Sequence, residues 1–160
     1  MTRLAVLLAS GVFLAACGGS PAVTQPIQFS HKAHAGAGLP CALCHQFVER
    51  ESFAGIPATS VCMTCHRGAI TDNPEAEKVR QYGEQGVEIP WQRALQLPIH
   101  VYFSHRRHVT LGGLKCAECH GNVENVSRPV LEPAIALDMD GCMACHAQRN
   151  ANNDCNACHR

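Results

Sequence analysis

The pentapeptide Cys-x-x-Cys-His occurs five times in a chain of 160 residues. The copies are Cys41/Cys44/His45, Cys62/Cys65/His66, Cys116/Cys119/His120, Cys142/Cys145/His146 and Cys155/Cys158/His159. Thiols three positions apart lie about one helical turn from each other, close enough to bond the two vinyl groups of one porphyrin. The histidine beside the second cysteine then meets the iron from one face as its proximal ligand. Each copy predicts one covalently attached c-type haem, and the chain five.

Other uses of cysteine fit less well. A disulfide framework has no need of a histidine after every second thiol. Structural zinc takes four ligands per ion, usually from two separated pairs, and does not call for one identical pentapeptide. With histidine at 10 of 160 residues, five chance placements at the same offset are vanishingly rare.

Residues 1–16 read as a signal peptide: Arg3 supplies a positive charge, and an apolar stretch from Leu4 to Ala16 follows. That stretch is too short to cross a bilayer as a helix. Leu14-Ala15-Ala16-Cys17-Gly18 resembles the bacterial lipobox, whose cysteine becomes the lipid-modified first residue. Cys17 is also the one cysteine outside the five motifs. Lipidation there predicts a protein tethered to the periplasmic side of a bacterial membrane, with the inner membrane favoured, and residues 17–26 as the flexible linker. Attachment of c-type haem outside the cytoplasm agrees with export.

Formal charges balance, with 13 basic and 13 acidic residues, so nothing points to nucleic acid. Only one tryptophan, two tyrosines and five phenylalanines are present. So little polypeptide for five cofactors cannot build an ordinary side-chain core. The expected fold is mostly irregular with short α-helices, organised around five haems that themselves form the interior, and a chain without haem should not fold.

Two segments repeat. Phe29-Ser30-His31-Lys32-Ala33-His34 leads to Gly38-Leu39-Pro40-Cys41, and Phe103-Ser104-His105-Arg106-Arg107-His108 leads to Gly113-Leu114-Lys115-Cys116 with one extra residue. The repeat divides the chain into a dihaem module over 27–71 and a trihaem module over 99–160, joined by a linker over 72–98. Within the linker, Asn73 to Gly83 reads as a short solvated helix, with Pro74 in its first turn and Gly83 at its end. The apolar stretch from Ile89 to Pro98, which holds Trp91, is expected to cover a haem edge or the seam between modules; a docking surface for a partner is the alternative.

Five histidines lie outside the motifs: His31, His34, His100, His105 and His108. Each iron has two axial positions, so bis-histidine ligation would use every histidine once. His31, His34, His105 and His108 are the expected distal ligands; His100 is the candidate for the last, with Met139 its rival. Histidines at i and i+3 leave one turn side by side, so each can reach a different haem and hold two porphyrins together. Saturated, all-histidine iron resists small ligands and sits at comparatively low potential.

The Phe-x-His-x-x-His segment ahead of Cys-x-x-Cys-His resembles the class III multihaem cytochromes, the c3 and c7 group. That resemblance implies distal roles for His31 with His34 and for His105 with His108. Pro90-Trp91 through Leu97-Pro98, followed by Val101-Tyr102-Phe103-Ser104-His105, is similar to the pentahaem subunits of alternative complex III, a bacterial quinol oxidoreductase. Those subunits carry a transmembrane anchor where this chain has Cys17. The function expected is electron transfer between a membrane oxidoreductase and another cytochrome, in a respiratory or photosynthetic complex, with no small-molecule substrate. The competing readings are a multihaem reductase, which requires one open iron at the fifth motif, and a free-standing carrier or charge reservoir. If Cys17 carries the anchor, Cys17→Ser should move the haem-loaded protein from the membrane fraction to the soluble periplasmic fraction on cell fractionation.

Overall fold

The computed structural model describes residues 23–159. The signal peptide, Cys17 and the first part of the expected linker lie outside the described residues. Among the described residues seven α-helices appear in order: α1 His31–Gly36, α2 Cys41–Cys44, α3 Thr59–Cys62, α4 Pro74–Glu84, α5 Ala117–His120, α6 Met139–Gln148 and α7 Cys155–Cys158. A π-helical turn at Arg106–Leu111 and a 3₁₀ turn at Val123–Asn125 complete them. Among the described residues the only β-pairing is an isolated antiparallel bridge between Val101 and His159, and no helix is long and apolar enough to cross a membrane.

The side-chain core is minimal. Ile27, Val79 and Ile89 form one buried cluster, with Cys62, Met63, Tyr82 and Trp91 packed against it. No described side chain is completely enclosed. Large apolar residues such as Phe47, Phe53, Leu111 and Met143 stand exposed instead. A polypeptide with this much uncovered apolar surface and so small a core has its interior supplied from elsewhere.

The 72–98 stretch carries more of the packing than a linker would. Asn73 caps α4 by accepting the Glu75 amide at 2.9 Å, and Pro74 takes the first helical position, where its missing N–H is no loss. Glu75 pairs with Lys78 at 2.7 Å and Glu77 pairs with Arg80 on the outer face. The inner face is not solvated: Ala76 and Val79, three apart, are both buried. The helix also runs past Gly83 to Glu84, and the left-handed residue that follows it is Gly86, at φ +67°. Gly83 serves a close approach, because a Cβ there would collide with the Met63 sulfur. Residues 23–29 dock on the same stretch. Gln25 and Gln92 exchange two hydrogen bonds, at 2.8 and 3.1 Å, and the Gln28 amide donates to Glu75 at 2.6 Å.

The two repeats share one local architecture. Ser30 and Ser104 each accept from the amide three residues ahead, opening the turn that carries the paired histidines. Gly38 and Gly113 both take positive φ, +77° and +66°, where the chain turns back toward the next cysteine. The extra residue of the second copy is absorbed in the helix. In the first, Ala37 N–H bonds Ala33 four residues back; in the second, Gly112 N–H bonds Arg107 five back. A single insertion converted to a π turn leaves His105 and His108 in register with His31 and His34.

The halves then dock reciprocally. Lys32 N–H donates to the Val126 carbonyl at 2.9 Å, and its counterpart Arg106 N–H donates to the Glu51 carbonyl at 3.0 Å. Each acceptor lies six residues beyond the histidine of the opposite half's first motif, His120 and His45. Matching donors and acceptors are thus exchanged between the two halves.

A buried hydrogen bond ties α3 to residue 89. Thr59 is 4% exposed, and its hydroxyl accepts the Ile89 amide at 2.8 Å. Thr59→Val keeps the shape and strands that amide. Denaturant unfolding of the haem-loaded protein should show a loss of about 1–3 kcal/mol.

Candidate metal centres

Every motif cysteine is placed on or beside a short helical turn. Cys41 and Cys44 bracket α2, Cys155 and Cys158 bracket α7, and Cys142 and Cys145 ride on α6. Cys62 ends α3, while Cys116 immediately precedes α5, which holds Cys119. Asp138 and Asp154 cap α6 and α7 by accepting amides of their first turns. None of the ten thiols is in a disulfide.

The histidines stand in opposed pairs. His34 faces His66 with ring centroids 6.1 Å apart, His105 faces His120 at 6.3 Å, His108 faces His146 at 6.0 Å and His100 faces His159 at 5.7 Å. His31 interacts electrostatically with His45, the one motif histidine left over. Two metal–nitrogen bonds of about 2 Å, plus roughly 1 Å from each nitrogen to its ring centre, put two imidazoles about 6 Å apart across one iron. The observed separations fit a metal between the rings of each pair. Among the described residues no three potential ligands gather at one point as zinc would require.

The two histidines of each turn look at different motifs. His34 meets the second motif while His31 neighbours the first; His105 meets the third and His108 the fourth. A phenylalanine holds each turn. Phe29 lies edge-on to His31 and stacks on His34 at 4.5 Å, and Phe103 repeats both contacts with His105 and His108, again at 4.5 Å for the stacked ring.

Backbone carbonyls fix the rings' tautomers. His34 and His108 each place Nδ1 2.8 Å from the serine carbonyl four residues back, Ser30 and Ser104. His45 uses Gly55, His105 uses Ser52 and His146 uses Asn152, at 2.8, 2.9 and 2.7 Å. A ring donating from Nδ1 keeps its Nε2 lone pair free for a metal. Sequence reasoning missed these acceptors. The repeated serine before each paired histidine was their only visible trace, since Gly55, Ser52 and Asn152 belong to no pattern.

Burial sets the charge state. It pushes His31, His66, His105 and His120 below the ordinary histidine value, and neighbouring histidines push further. Neutral imidazole is the form that ligates iron. Nδ1 of His31 and of His66 and Nε1 of Trp91 are buried without a partner, so a bound group offering acceptors would complete them.

At the fifth motif the two rival ligands separate. The Val101–His159 bridge, with Tyr102 N–H donating to the Cys158 carbonyl at 2.7 Å, seats the neighbouring His100 against His159. Met139 opens α6 and is 61% exposed.

A family profile described as "Cytochrome c7 and related cytochrome c" matches residues 101–160. The chain is also 32% identical, over 161 aligned positions, to the protein named "Menaquinone reductase, multiheme cytochrome c subunit" of Nitratidesulfovibrio vulgaris. The alignment covers 85% of this chain and 77% of that one. From the geometry at His100, Met139→Leu should leave the visible spectrum unchanged, and His100→Leu should convert one iron to the high-spin form in the same measurement.

Proposed function

The chain belongs to the class III, c7-like multihaem cytochromes c, and from that membership and the histidine geometry we propose that it is a pentahaem electron-transfer subunit of a quinone-linked membrane complex. Haem c supplies reversible one-electron chemistry at iron when bound. The polypeptide's part is to hold five such groups by Cys41/Cys44, Cys62/Cys65, Cys116/Cys119, Cys142/Cys145 and Cys155/Cys158. His45, His66, His120, His146 and His159 are the proximal ligands on this reading, opposed by His31, His34, His105, His108 and His100 in that order.

The carrying observation is the set of opposed imidazole rings 5.7–6.3 Å apart. Filling both axial sites of every iron leaves no position for substrate. That argues for a conductor serving partner subunits over an enzyme in its own right. The relative's role in menaquinone reduction supports a partner in contact with the quinone pool, and Cys17 supports a lipid tether that keeps the chain at the periplasmic membrane face.

Haem loading and ligation test this together. The mature polypeptide should carry the mass of five porphyrin groups, and its oxidised spectrum should be low-spin throughout. His105→Ala should leave four low-spin irons and one high-spin iron; a spectrum matching the unmutated protein would remove His105 from the ligand set.

A further inference from the structure

We infer that the five attachment-and-ligand sets lie in one series that does not follow chain order, running second, first, third, fourth, fifth. This rests on the ligand reading above and adds to it the neighbour of each set. Four junctions carry it. The first and second sets are joined by α1, because His31 and His34 leave one turn and face His45 and His66. The third and fourth are joined in the same way by His105 and His108, which face His120 and His146.

The fourth and fifth sets are held together by the short return after α6. His146 Nδ1 bonds the Asn152 carbonyl at 2.7 Å, and Asn153 donates to the Met143 carbonyl at 3.1 Å. Those bonds return the chain carrying the fifth motif to the helix that carries the fourth, and the Cys142 thiol interacts with Cys158.

The remaining junction crosses between the halves. Cys41 and Cys116 line one cavity of about 330 Å³. The reciprocal bonds from Lys32 to Val126 and from Arg106 to Glu51 clamp the two halves together. His31 accordingly senses His120, and His105 senses His45, across the same seam. Thiol neighbours elsewhere agree: Cys44 with Cys65, and Cys119 with Cys145. The first and third sets are thus the centre of the series, and the second and fifth are its ends.

The order is testable in the intact haem-loaded protein by following the methyl resonances of each haem through a reductive titration by NMR. His105→Met raises the potential of the third iron, so that it is reduced earlier. An electron already there disfavours one on its nearest neighbours. The midpoints of the first and fourth sets should therefore shift downward, with the second and fifth moving least. A larger shift at the second or fifth set than at the first would overturn the order. If no iron changes its ligand, the ligand reading itself falls and the series with it. His100→Met, at an end, gives a second reading that leaves both clamps intact. Only the fourth set should follow it, and a larger response at any other set would equally overturn the order.

Discussion

The gap between opposed imidazoles is the constraint on which everything else depends. Rings whose centres stand about 6 Å apart gain only modestly from each other. Something of fixed size must occupy the gap, and the polypeptide is arranged around keeping it open. Phenylalanines brace the rings from behind, carbonyls hold their Nδ1 atoms, and the β-bridge at Val101 seats the one histidine that has no helical turn of its own.

The small core has the same origin. Ile27, Val79 and Ile89 make a single patch at one edge of the molecule, beside the second motif, and the other four motifs have no comparable cluster among the described residues. Burial of three aliphatic side chains contributes only several kcal/mol, at about 1.5–3 kcal/mol each. Ordering well over a hundred residues requires far more. Covalent cofactors supply the remainder, and exposed side chains such as Phe47, Leu111 and Met143 mark surface that a bare polypeptide leaves uncovered.

What the sequence disclosed, and what it hid, follows from how local each determinant is. Cys-x-x-Cys-His is legible because its five residues are contiguous, and the paired histidines are legible because the same Phe-Ser-His-x-x-His segment recurs ahead of a motif. The partner of each paired histidine was not legible. It depends on the chain returning from 14 to 38 residues away, and His100 meets His159, 59 residues on, only through a bridge made at the far end of the chain. The inner face of α4 was hidden for a related reason: Ala76 and Val79 are too few and too small to mark an apolar stripe beside Glu75, Glu77, Lys78 and Arg80. Gly83 was misleading in its own way, since a glycine near a helix end is read as a stop when its purpose is to admit the Met63 thioether.

The reciprocal seam between Lys32 and Val126 on one side and Arg106 and Glu51 on the other has a bearing on ancestry. An interface whose two sides are equivalent can be formed by two separate copies of one unit as readily as by two halves of one chain. Tandem duplication of such a unit would preserve every contact and abolish the dependence of pairing on concentration.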